Sequence, residues 1–233
     1  MPLAGKIALV TGASHGIGAA SALELARRGA HVILAARTQG GLEAVDDQIR
    51  AEGGEATLLP IDLCDGEAVD CIGPSLLERF GRLDILVGSA GALGKLTPVA
   101  HILPKDWNEV VGVNLAATWH LIRTCGPLLG IAPAGRAVFL TAKEAAEPKS
   151  FWGAYGATKA GSEYLVRCWA DESRGGNLRV NLFEPGIIRG KLRTQIMPGE
   201  DPETVPGPET VAPQIVDLCM PEATAHGELV RAR

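Results

Sequence analysis

Tyr155 and Lys159 stand four residues apart and are the pair in this sequence best suited to move a proton. On a helix that spacing stacks both side chains on one face, one turn apart. A phenol ordinarily keeps its proton up to a pH of about 10. An ammonium beside it favours the phenolate, so the proton is given and taken more readily near neutral pH. The same spacing also describes a half-buried tyrosine above a solvated lysine on an ordinary helix face. The rest of the chain has to decide between these readings.

An apolar run at 7–10 leads into Thr11-Gly12-Ala13-Ser14-His15-Gly16-Ile17-Gly18, and a helical pattern follows through Arg28 to Gly29. The order is strand, glycine-rich turn, helix. Gly12 can take the positive φ of a tight turn. Gly16 and Gly18 let a pyrophosphate approach the helix N-terminus, where free N–H groups and the helix dipole favour anions. Ser14, His15 and Ile17 belong to the same loop and are expected to line the same dinucleotide site. The second strand, His31–Ala36, ends in Ala36-Arg37-Thr38. A site built for NAD wants a carboxylate there for the ribose 2′-hydroxyl. Arg37 instead offers a guanidinium to a 2′-phosphate, and His15 can assist, which favours NADP over NAD.

Further elements alternate in the same way. The pattern predicts a helix over 42–52, a strand at Ala56–Pro60, a helix over 66–80 and a strand at 83–87. Asp62, just past the third strand, can accept from an adenine amine or cap the next helix. Ser89, Ala90 and Gly91 after the fourth strand are small enough for a cofactor to lie against the backbone. A long helix is expected over 104–129, with Asn114 in its middle. Asparagine is a poor helix-interior residue, so a kink, a buried water or a polar link to Lys159 is expected there. A strand at 137–141, a helix over 152–174 carrying the Tyr/Lys pair, and a strand at 179–183 follow. A proline-rich stretch over 187–208 reads as a substrate loop with little regular structure. A helix over 208–220 and an edge strand within 228–232 complete the chain. Alternation of this kind means a doubly wound, mainly parallel sheet with helices on both faces, and one domain spanning 1–233.

Composition narrows the function classes. A net charge of −5, with no long Lys/Arg run, argues against nucleic acid. No apolar run approaches the ~18 residues needed to span a bilayer. Five cysteines without a C-x-x-C pair read as reduced thiols in a cytoplasmic protein, not as a disulfide framework or zinc site. His101, His120 and His226 are scattered and expected to be ordinary histidines, so no metal is expected. Trp107, Trp119 and Trp169 are expected in the core or, for Trp169, at a helix interface, whereas Trp152 is a candidate wall of the substrate pocket.

Thr11-Gly12-x-x-x-Gly16-x-Gly18, Asp62, Asn114, Tyr155-x-x-x-Lys159 and Pro185-Gly186 occur in order, and together they resemble the short-chain dehydrogenase/reductase family over essentially the whole chain. The resemblance implies a Rossmann-type fold of seven strands. It implies Tyr155 as proton donor and acceptor, and Lys159 lowering its pKa and holding the nicotinamide ribose. It also implies Asn114 positioning a water, and cofactor contacts at Ala90, Gly91, Pro185, Gly186 and Ile188. It further implies an NADP(H)-dependent oxidoreductase acting on a small carbonyl or alcohol substrate, paired as a homodimer or homotetramer through its long fourth and fifth helices. The stretch 151–155 is also similar to a bacterial subgroup of uncertain substrate.

Three positions depart from the family pattern. Ala142 replaces a serine whose hydroxyl would stabilise developing negative charge, a loss typically worth about 10²–10³ in rate. Thr141 is the candidate substitute, provided that the strand end twists or bulges, because neighbouring strand side chains face opposite ways. Gly88 stands where an asparagine is usual, and Gly190 where a threonine would hold the carboxamide. The alternative is therefore a catalytically weak or inactive NADP-binding protein, acting as a redox sensor or assembly partner.

Overall fold

The computed structural model describes residues 1–233. Strands β1 (Ile7–Thr11), β2 (His31–Ala36), β3 (Ala56–Pro60), β4 (Ile85–Gly88), β5 (Arg136–Leu140), β6 (Arg179–Glu184) and β7 (Leu229–Arg231) form one sheet. Their order is β3-β2-β1-β4-β5-β6-β7, and every neighbouring pair is parallel. The order reverses between β1 and β4, which opens a crevice beyond the carboxyl ends of the strands. Thr11 pairs with Gly88, and Gly88 with Phe139, so the ends of β1, β4 and β5 lie side by side on that edge.

The strands are apolar almost throughout because both faces are covered. On one face Val10, Leu34, Val138 and Phe183 pack with residues of α1 (Gly16–Arg27), α2 (Gln39–Ala51) and α9 (Ala212–Asp217). On the other, Leu9, Leu86, Phe139 and Leu182 pack under α4 (Ile72–Phe80), α6 (Ala117–Ile131) and α7 (Gly153–Glu172). Each fully buried leucine or phenylalanine contributes about 1.5–3 kcal/mol. No helix is long and apolar enough to cross a membrane.

The helix expected over 66–80 is two helices, α3 (Gly66–Asp70) and α4, meeting at Cys71. The cause is local and distant at once. Pro74 has no N–H to give to the carbonyl of Asp70. The Thr124 hydroxyl on α6 supplies that hydrogen bond instead, at 2.8 Å, and accepts from the Gly73 N–H at 2.9 Å. A side chain inserted into the ladder divides the helix.

The long helix over 104–129 is present but not uniform. α5 (Pro104–Val111) passes through a π turn at Gly112–Ala116 into α6, and Asn114 sits within that turn. The stretch 187–208 is more regular than its prolines suggest. It holds α8 (Lys191–Ile196), tied to the following loop by ion pairs between Arg193 and Glu200 and, at 2.7 Å, between Arg189 and Glu203. Trp107 and Trp119 are 42% and 46% exposed, so they are surface residues and not core. Trp169 is buried, edge-on to Phe139.

Thr124→Val keeps the shape of the α3–α4 junction but orphans the Asp70 carbonyl and the Gly73 N–H. The expected cost is about 1–3 kcal/mol, read as a lower urea midpoint at an unchanged slope.

Candidate active site

The glycine-rich turn between β1 and α1 is shaped as a cradle. Gly12 and Gly16 have φ of +66° and +59°. A Cβ on Gly12 would lie 2.9 Å from the Ala90 Cα, whereas one on Gly16 would meet nothing within 4 Å. The first glycine lets the β1 and β4 ends close together, and the second leaves open space at the N-terminus of α1. Thr11 Oγ1 accepts from the N–H groups of Ser89 and Ala90 at 3.2 and 3.3 Å, fastening the two strand ends. Gly88 is small for packing reasons, since the Phe139 ring fills the place of its Cβ. His15 and Arg37 are exposed beyond this turn, and Ser14 and Ile17 are partly so. Of the two roles open to Asp62, the cap belongs to its neighbour. Asp65 caps α3 by accepting from Ala68 N–H, while Asp62 accepts from Cys64 N–H at 3.0 Å. Gly186 has φ +70° after Pro185, and Ile188 packs on the core.

Tyr155 and Lys159 lie on one face of α7, with the ammonium 5.9 Å from the phenol ring centroid. Lys159 is 7% exposed, and its Nζ donates to the Leu140 carbonyl at the end of β5 at 3.0 Å. An ammonium has three donors, so two remain for a ligand. A Cβ on Gly91 would lie 3.7 Å from that Nζ, so the loop after β4 passes directly over it. These features fit a dinucleotide, with phosphates at Gly16 and a ribose at Lys159.

Burial pushes Lys159 down to about 8, while the charge of Glu163, one turn further along α7, opposes that fall. Burial pushes the Tyr155 phenol up, and Glu144 adds to the rise. The expectation that the lysine draws the phenol down is therefore reversed. Desolvation outweighs the cation, and Tyr155 rests protonated at neutral pH.

Asn114 does not reach Lys159. Its Oδ1 accepts from Ala92 N–H at 2.8 Å, and its Nδ2 donates to the Ala92 carbonyl and to Thr158 Oγ1 at 2.9 and 3.1 Å. One turn along, Thr118 and Ser162 share a hydrogen bond of 3.0 Å. Asn114 and Thr118 on one helix thus meet Thr158 and Ser162 on the other, as two rungs joining the π-turn helix to α7.

Thr141 does not replace the missing serine hydroxyl in this arrangement. Ala142 is extended, with φ −149° and ψ 154°, so the strand alternation continues without a bulge. Thr141 therefore points toward α7, where its hydroxyl donates to Glu163 at 2.6 Å. Trp152 is 8% exposed and lies edge-on to Tyr155, 5.8 Å between centroids. Phe151 before it is the one non-glycine residue with positive φ, at 75°. A cavity of about 410 Å³ lies at the opposite edge of the sheet beside Lys6, His31 and Glu55 and holds none of these groups.

Sequence reasoning missed Glu144, Thr158 and Glu163. The 155/159/163 spacing already placed Glu163 on the face of Tyr155 and Lys159, but the other two needed the packing of the 143–145 turn and the π turn against α7.

Lys159 imposes a pH dependence with a definite sign. Held near 8, it releases its proton over a range in which the unfolded chain keeps it. The unfolded state binds more protons there, so stability gains with rising pH between about 8 and the ordinary lysine value. Lys159→Met removes that gain. Urea unfolding at pH about 7.5 and about 9.5 should show wild type gaining relative to the variant at the higher pH.

The family model for short chain dehydrogenases matches residues 6–201. The Escherichia coli oxidoreductase YciK is 35% identical over 211 residues, covering 89% of this chain and 83% of its own. A short chain dehydrogenase of Shigella flexneri, solved with NADP, superposes with a TM-score of 0.93 at 33% identity, over 99% of this chain and 98% of the other. One from Escherichia coli, solved with NADPH, gives 0.92 at 33% identity over the same shares. A strand order that reverses at the glycine-rich turn, a Tyr/Lys pair under the loop after β4 and these matches have one reading: the chain belongs to the short-chain dehydrogenase/reductase family of oxidoreductases.

Proposed function

We propose that this protein is an NADP(H)-dependent oxidoreductase that moves a hydride between a nicotinamide and a carbonyl/alcohol carbon, with Tyr155 as the proton donor and acceptor. The observation that carries the reading is the buried Lys159 ammonium, which shares a helix face with Tyr155 and keeps two donors free beneath the Gly91 loop. Bound NADPH supplies the hydride. The chain supplies the rest. The Gly12–Gly18 turn with Ser14, His15 and Ile17 receives the phosphates, and the exposed Arg37 faces the 2′-phosphate. Asp62 accepts from the adenine. Ala90, Gly91, Pro185, Gly186 and Ile188 lie along the nicotinamide half. Lys159 holds the ribose hydroxyls.

Tyr155 delivers its proton to the substrate atom that gains charge, which suits a phenol that rests protonated. Asn114 acts as a positioning residue, because both donors of its amide are committed to Ala92 and Thr158. We read 1–233 as one such domain, with 187–208 over the substrate, in the cytoplasm. The NADP-bound neighbours and the intact pair favour catalysis over a silent nucleotide-binding role.

Two copies are read to pair through α5–α6 and α7, where Trp107, Trp119 and Tyr164 are exposed. Trp119→Glu should then shift the sedimentation coefficient toward that of a monomer.

Two substitutions test the reaction. Tyr155→Phe should lower turnover about 10²–10⁴-fold while NADPH binding, followed by fluorescence titration, holds within a few-fold. Arg37→Ala removes a charge-assisted contact and should weaken NADPH roughly 10–100-fold with NADH nearly unchanged. Equal losses for both cofactors would refute the 2′-phosphate role.

A further inference from the structure

Reduction of a carbonyl builds negative charge on oxygen, and an enzyme lowers that barrier with fixed donors aimed at the oxygen. This site is poor in such donors. Position 142 offers a methyl group, and the adjacent Thr141 hydroxyl faces away and is committed to Glu163 at 2.6 Å. Among these residues only the Tyr155 phenol remains as a hydroxyl donor.

A carboxylate stands nearby instead. Glu144 lies in the short turn Lys143–Ala145 after β5, half-buried. Its backbone is pressed against the start of α7, since a Cβ on Gly156 would come within 2.9 Å of the Glu144 carbonyl oxygen. Its charge is felt at Tyr155, whose phenol it helps to keep protonated. No ion pair or side-chain hydrogen bond engages that carboxylate. The flanking cations are occupied elsewhere, Lys143 with Glu147 at 3.0 Å and Lys149 over the Trp152 ring at 4.5 Å. The other acid near the strand ends, Glu184, is held by Arg231 at 3.3 Å.

An unpaired carboxylate beside a developing alkoxide opposes the reaction, and the same carboxylate beside a cation assists it. We infer that the substrate of this site is a protonatable imine, its nitrogen held between Tyr155 and the Glu144 carboxylate, in preference to a ketone or aldehyde.

This rests on the hydride-transfer reading above and narrows it. The imine carbon gains the hydride as a new C–H bond, and the C=N π pair moves onto nitrogen. The nitrogen takes its proton from Tyr155 or arrives already bearing it. The imine is reduced to an amine as NADPH is oxidised to NADP⁺. No alkoxide forms, so the absence of a hydroxyl at Ala142 carries no penalty.

The test has a binding arm and a turnover arm. In calorimetry on the cofactor-free protein, 2-methylpyrrolidine, an ammonium at neutral pH, is expected to bind at least tenfold more tightly than 2-methylcyclopentanol, and Glu144→Gln to abolish that difference. With NADPH present, absorbance at the nicotinamide band should give 2-methyl-1-pyrroline a kcat/KM at least tenfold above that of 2-methylcyclopentanone. Ala142→Ser should raise the ketone rate at least tenfold and leave the imine rate within a few-fold. A ketone rate equal to or above the imine rate in wild type, or an amine preference that survives Glu144→Gln, overturns the inference while leaving the hydride-transfer reading standing. Tight NADPH binding with neither compound reduced overturns both.

Discussion

A lysine ammonium has been taken out of water and set against the Leu140 carbonyl at the end of a central strand. Burying a charge this way is unfavourable unless something compensates, and here one hydrogen bond and the carboxylate of Glu163 do so only in part, as the lowered Lys159 shows. Much of the surrounding architecture follows from keeping that group in place. The strand end must lie beside α7, the loop after β4 must pass over it, and α7 must not slide. The Asn114–Thr158 and Thr118–Ser162 rungs resist such sliding. Two polar contacts one turn apart hold both the separation and the register of two helices, which a purely apolar seam would leave free to shift.

Much of this was legible in the sequence because the signals are local. Gly12, Gly16 and Gly18 sit between an apolar run and a helical pattern, and that arrangement has few other uses. Short apolar runs and period-3.6 patterns placed all seven strands and the two long helices. Other features depended on residues far apart in the chain. The division at Cys71 follows from Pro74, legible nearby, and from Thr124, some fifty positions away. The partners of Asn114 followed from the π turn, which no periodicity announces.

The resting state of Tyr155 is a different kind of case. Spacing identified the pair, but whether the phenol is drawn down by its lysine or pushed up by its surroundings depends on how much water reaches it, and that is set by Trp152 and the 143–145 turn. The direction of Thr141 was within reach of strand alternation, once Ala142 is seen to continue the strand without a bulge. The loop over 187–208 misled for the opposite reason. Its prolines suggested irregular chain, whereas opposite charges seven and fourteen residues apart, Arg193 with Glu200 and Arg189 with Glu203, stitch it into order.

Phe151 bears on how the start of α7 responds to change. A bulky side chain at φ 75° costs on the order of 1–3 kcal/mol that glycine would avoid. Its carbonyl accepts from the Thr97 N–H at 3.1 Å, and the following Trp152 packs edge-on to Tyr155. A strained turn and an aromatic contact with the phenol thus occupy consecutive residues. Any substitution that changes the backbone at 151 therefore acts on the packing around Tyr155 as well.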